Sequence, residues 1–93
     1  MIRSFRGKVA TALWAGQHAA RFPADLVRIA QRKLRMVDAA TTVTDLRQPP
    51  GNRLEPLRGD RIGQWSIRIN DQWRVCFRWH DGNAEDVEIV DYH

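Results

Sequence analysis

The apolar residues of this 93-residue chain change their period at Pro49-Pro50-Gly51. Upstream, Leu26, Ile29, Ala30, Leu34 and Val37 recur at the spacing of one buried helix face. Downstream, Trp65-Ser66-Ile67-Arg68-Ile69 and Trp73-Arg74-Val75-Cys76-Phe77-Arg78-Trp79 alternate apolar with polar, as strands with one buried side do. The two periods cannot be exchanged, because a strand repeat wound into a helix would carry polar groups into the core. The order predicts an α+β fold: a short N-terminal strand, two helices, then an antiparallel strand meander with the helices packed on one face.

Ile2–Phe5 reads as the short first strand. A first helix follows over Lys8–Gln17, burying Val9, Ala12 and Leu13 and stopping at Gly16. Phe22-Pro23-Ala24-Asp25 opens the second, with proline in the first turn and an acid at the positive end of the helix dipole. Residues 41–48 connect to the break at Pro49. Asn52–Leu57 is expected as a strand, then a loop through Gly59-Asp60 and Gly63, the two alternating strands, a turn at Asp81-Gly82-Asn83, and a last strand Asp86–Tyr92. Residues 1–93 make one domain. A chain this short buries only about 60–65% of the surface its unfolded form exposes, too little for a deep, dry cofactor cavity.

Thirteen arginines and two lysines face eleven acids, for a net charge of +4. The balance is uneven: residues 1–80 hold all fifteen bases and six acids, whereas five acids and no base follow from Asp81 onward. Arginine's flat fork matches phosphate, so the bias points to nucleic acid or another polyanion. Arg28, Arg32 and Arg35 line one exposed face of the second helix. The single cysteine, Cys76, can form no internal disulfide, which suits a reducing compartment. His18, His80 and His93 lack ligand spacing, so no metal and no cofactor is expected. No apolar run is long enough to span a bilayer and the N-terminus lacks a signal-peptide core, which predicts a cytoplasmic protein without membrane contact.

The central hairpin sets its own register. Opposed residues of an antiparallel pair share a face. For Trp65, Ile67 and Ile69 to share one with Trp73, Val75 and Phe77, the loop must be odd, and Asn70-Asp71-Gln72 is the simplest solution. The other face then sets Arg68 opposite Arg74, with Arg78 one pleat on. Like charges so placed repel by a few tenths to about 1 kcal/mol, which suggests an anion between them. Extending the register to the last strand puts Val75 opposite Ile89, Phe77 opposite Val87, Arg74 opposite Val90 and Tyr92 beside Arg74. Asp86 and Glu88 then fall beside Arg78 and Cys76.

Three segments carry a resemblance: Arg53-Leu54-Glu55-Pro56-Leu57-Arg58-Gly59-Asp60-Arg61, then 64–77 from Gln64-Trp65-Ser66 to Cys76-Phe77, then Val87-Glu88-Ile89-Val90-Asp91-Tyr92-His93. Together they resemble the HigB-type toxins of the RelE/ParE superfamily, close to the GraT-like branch, from type II toxin–antitoxin systems. The resemblance implies a RelE-like fold and a ribosome-dependent endoribonuclease that cuts mRNA. It implies metal-free attack of the ribose 2′-OH on the adjacent phosphate. It also implies a HigA-like antitoxin with a helix-turn-helix domain, through which alone operator DNA would be bound. The terminal Asp91-Tyr92-His93 matches the family's functional tail, Arg74 its central-strand arginine, and Arg58 a basic position often held by lysine. Glu55 stands where some HigB proteins carry histidine; other superfamily members pair a glutamate with a terminal histidine, which implies Glu55 as base and His93 as acid. Arg28, Arg32, Arg53, Arg68 and Arg78 are the expected RNA-binding residues. The competing readings are a ParE-like gyrase poison that cuts nothing and a member that retains only antitoxin binding.

Overall fold

Gly16 adopts a positive φ of 76°, and helix α1 (Lys8–Trp14) ends just before it, shorter than the expected Lys8–Gln17. The Gly16 N–H donates to the Leu13 carbonyl and the Gln17 N–H to that of Ala12, the paired bonds by which a left-handed residue closes a helix. The computed structural model describes residues 1–92; His93 lies outside the described residues. A single helical turn, Ala24–Leu26, leads into α2 (Val27–Ala39), which buries Ala30, Leu34 and Val37 as its period predicts. Connector 41–48 contains a turn, Val43–Arg47, closed at its N-terminal end by a reciprocal capping box of Thr42 and Asp45. Backbone N–H bonds from Thr42 and Thr41, then their hydroxyls, hold the Asp45 carboxyl down to about 2.

Four antiparallel strands form one sheet in chain order: β1 (Glu55–Pro56), β2 (Gln64–Arg68), β3 (Trp73–His80) and β4 (Asn83–Asp91). The hairpin register is as expected, with Trp65 opposite Phe77, Ile67 opposite Val75 and Arg68 opposite Arg74. Ile67, Val75, Phe77 and Val87 join Leu13, Leu34 and Val37 in the core, so both helices lie on one face. Trp65 and Trp73 pack against the same core, Trp73 with its ring edge-on to Phe22.

Two expected strands are corrected. Asn52–Leu57 shrinks to Glu55–Pro56, because Pro50–Asn52 forms a helical turn and Arg53 takes left-handed dihedrals (φ 46°, ψ 53°) that extended chain cannot hold. Proline at position 56 also has no N–H to lengthen the ladder. Ile2–Phe5 makes only two isolated parallel bridges, Ile2 with Ala84 and Phe5 with Val87. Between them β4 bulges: Cys76 pairs with Glu88 but Arg78 with Glu85, so the pair 86–87 faces Phe77. Asp86 sits at φ 52° with its N–H bonded to Ser4 Oγ, which interrupts any continuous ladder there. Beyond the bulge Val75 meets Ile89 and Arg74 meets Val90 as expected.

Candidate active site

The face of the sheet away from the helices is built around β3. Arg74, the second residue of β3, has a side chain only 12% exposed. Its Nε donates to Ser66 Oγ at 2.8 Å, from the diagonal position on β2. Its Nη2 donates to the Arg53 carbonyl at 2.7 Å and lies 3.5 Å from the Glu55 carboxylate on β1. The guanidinium carbon stands 5.8 Å from the centre of the Tyr92 ring, a cation–π distance. Glu55, Arg74 and Tyr92 thus converge from three separated stretches of sequence, held by Ser66 and a main-chain oxygen. A carboxylate, a fixed cation and a phenol at one place supply a proton acceptor, a charge stabiliser and a hydrogen-bonding group.

The remaining expected residues distribute around this cluster. Arg68, opposite Arg74, pairs with Asp71 of the hairpin loop, so its repulsion is met by an acid that the hairpin carries itself. Glu88 is opposite Cys76 as the register predicts, whereas the bulge sets Glu85 opposite Arg78, toward the other end of β3, with the expected Asp86 still within 3.7 Å of its side chain. Asp91 pairs with Trp73 and accepts from Gln72 Nε2 at 3.1 Å; strand alternation sets it on the side away from Val90 and Tyr92. Arg53 and Arg58 are exposed on the segments flanking β1. Arg28 and Arg32 are exposed on α2, in the helical layer; the charges of Arg32 and of the sheet-face Arg68 both act on Lys33 of that helix. His93, the expected acid, lies outside the described residues.

Three residues were missed by sequence reading. Ser66 is fully buried beside Arg74, and the hairpin register already implied that diagonal. Arg61 bonds Glu88 at 2.7 Å and Gln64 Oε1 at 3.1 Å; the Glu88 bond raises its pKa. Asn52 is a fully buried polar residue, and no pattern in the sequence signals its depth. Cys76, opposite Glu88, is fully buried, and burial pushes its thiol up to about 11, away from the thiolate form. No helix among the described residues is long and apolar enough to cross a membrane.

Residues 3–93 match the family described as the RelE-like toxin of the type II toxin-antitoxin system HigB. The chain belongs to the HigB-like toxin family. Such a toxin has an antitoxin as its partner. The chain is 34% identical over 93 residues to Endoribonuclease HigB of Proteus vulgaris, covering 100% of both. It is 48% identical over 62 residues to Toxin HigB-1 of Vibrio cholerae serotype O1, a match that spans 67% of this chain and 65% of that protein. Among solved structures, the YoeB/ParE toxin from Agrobacterium tumefaciens superposes with a TM-score of 0.56 over 99% of each chain at 22% identity. That likeness extends the RelE-like α+β fold to this HigB-like chain, with two helices on one side of a four-stranded antiparallel sheet.

Proposed function

We propose that this chain is a cytoplasmic endoribonuclease that cuts mRNA on the ribosome and is neutralised by a HigA-like helix-turn-helix antitoxin, through which operator DNA is contacted. The observation that carries the reading is Arg74, a nearly buried guanidinium held by Ser66 and the Arg53 carbonyl between Glu55 and Tyr92. The full-length relationship to the Proteus vulgaris endoribonuclease supports the same activity.

In the proposed reaction Glu55 takes the proton of a ribose 2′-OH, and the oxygen attacks the adjacent phosphorus. Arg74 stabilises the extra negative charge on the pentacoordinate phosphorane, with Arg58 as a second cation. His93 protonates the departing 5′-oxygen, leaving a 2′,3′-cyclic phosphate and a free 5′-OH. Tyr92 orients the nucleotide at Arg74, and Asp91 orients the terminal His93. Arg53, Arg68 and Arg78 hold flanking phosphates along the sheet face, while Arg28 and Arg32 meet nucleic acid on the helical side.

The test is cleavage of a defined mRNA by purified protein, alone and in programmed ribosomes, with the new ends mapped chemically. Cyclic phosphate and 5′-OH ends, produced only with ribosomes and lost in Glu55→Gln, are expected. A folded protein that leaves ribosome-bound mRNA intact would refute the proposal.

A further inference from the structure

Arg74 depends on an oxygen supplied by Arg53, and Arg53 is held in a backbone conformation that a residue with a Cβ seldom adopts. The residue before it, Asn52, is fully buried. This side chain has one acceptor and two donor hydrogens, and all are engaged by the fold. Its Nδ2 donates to the Leu46 carbonyl at 3.1 Å and the Gln48 carbonyl at 3.2 Å. Its Oδ1 accepts from Lys33 Nζ of α2. The Asn52 N–H donates to the Pro49 carbonyl at 2.9 Å and the Arg53 N–H to that of Pro50 at 3.1 Å, closing the turn.

We infer that Asn52 is a positioning residue for Arg74: it fastens the segment 48–53 to helix α2 so that the Arg53 carbonyl is presented to the guanidinium. The chain of contacts runs from Lys33 through Asn52 and the turned backbone to Arg53 and then Arg74. Aspartate has the same shape but no donor, so it would set two carbonyl oxygens against a carboxylate and release the turn. Burial, with Arg32 and then Arg68 nearby, lowers the pKa of Lys33. The inference rests on Arg74 as the phosphate-facing cation of the proposed reaction.

The experiment compares wild type, Asn52→Asp, Arg74→Ala and the double variant in the full-length protein. It reads single-turnover cleavage of ribosome-bound mRNA, KM, and the NMR signal of the Arg74 Nε–H. Asn52→Asp should lower kcat about tenfold, as displacement of a catalytic group by a fraction of an ångström does, with KM nearly constant. In the Arg74→Ala background it should cost nothing further, because residues acting through one group are not additive. Exchange of the Arg74 Nε–H, which donates to Ser66 Oγ, should speed up, because a guanidinium that loses its Nη2 anchor on the Arg53 carbonyl turns more freely. If Asn52→Asp does not fold, Lys33→Gln, altered at a part-exposed side chain, should show the same pattern at smaller amplitude. An equal loss in the Arg74→Ala background, or an unchanged Nε–H signal in a folded variant, overturns the inference. If the wild type cuts no RNA the proposed function fails, and the Nε–H readout still decides whether Asn52 positions Arg74.

Discussion

Replacing Arg74 with alanine removes two close hydrogen bonds and one looser ion pair, of which the bond to buried Ser66 weighs most. Ser66 is fully buried, so its hydroxyl is stranded without its Nε partner, at about 1–3 kcal/mol. Glu55 is half exposed at 49% and 3.5 Å away, so solvent replaces most of that interaction and it adds less than about 1 kcal/mol. Relief of repulsion from Arg68 returns a few tenths to about 1 kcal/mol. The net destabilisation is about 1–3 kcal/mol, which in a domain of this size lowers Tm by roughly 5–20 °C. The folded variant should nevertheless lose about 10²–10³ in cleavage rate, the usual loss when one preorganised group facing transition-state charge is removed. Arg74→Lys should recover part of the stability but little of the rate, since one ammonium cannot span Ser66 Oγ and the Arg53 carbonyl. Arg68→Ala is the control: its partner Asp71 is 98% exposed, so Tm should barely move and the rate should fall far less. Thermal melts paired with single-turnover cleavage below Tm measure both quantities. Equal rate losses for Arg74→Ala and Arg68→Ala, or near-normal cleavage by folded Arg74→Ala, would refute the reasoning.

Three other outcomes are expected. RNA affinity should fall steeply with salt, and Arg68→Ala or Arg32→Ala should each shallow the log–log slope by about 0.7; an affinity indifferent to salt would remove the electrostatic account. Deleting His93 alone should abolish cleavage at unchanged Tm, because the β3–β4 ladder reaches Asp91 and the Tyr92 N–H still donates to the Gln72 carbonyl at 2.6 Å; a truncated protein cutting at the original rate would reassign the acid. For Asp45 the folded pKa lies below its ordinary value of 3.8, so its contribution is present above about pH 4 and lost as pH falls toward about 2. Melting curves of Asp45→Ala should therefore differ from wild type at neutral pH and converge across that window.

The parts of the fold legible in the sequence are those where side-chain parity decides. Alternation in 65–79 admits only an odd loop, and its simplest solution, Asn70-Asp71-Gln72, sets Arg68 opposite Arg74, as the sheet has it. The helical stripe of Ala30, Leu34 and Val37 is read in the same way. What failed were positions where a residue type ordinarily compatible with a strand takes a left-handed conformation. Arg53 ends the expected strand at 52–57, and Asp86 breaks the pairing of Ile2–Phe5 with β4. Neither is glycine, and tertiary bonds enforce both conformations, Ser4 Oγ at Asp86 and the Asn52 brace at Arg53.

Legibility of the site divides along the same line, between side chains that a register places and groups that only the folded backbone supplies. Tyr92 beside Arg74 follows from the β3–β4 pairing, and Ser66 from the β2–β3 diagonal. The Arg53 carbonyl follows from nothing in the sequence, because every residue has one. Yet the choice of a neutral oxygen has a chemical consequence. Arg61, bonded at 2.7 Å to a Glu88 that is only 19% exposed, has its charge matched in place. Arg74 makes its two closest bonds to neutral oxygens, at 2.8 and 2.7 Å, while its carboxylate stands back at 3.5 Å and half in solvent. A guanidinium has five N–H donors, so about three remain for an arriving anion. Its orientation is fixed without its charge being tightly paired, and Glu55 can turn toward a ribose hydroxyl without leaving a stranded ion pair behind. A fixed orientation with a loosely paired charge is what the proposed role of Arg74 at a phosphate requires.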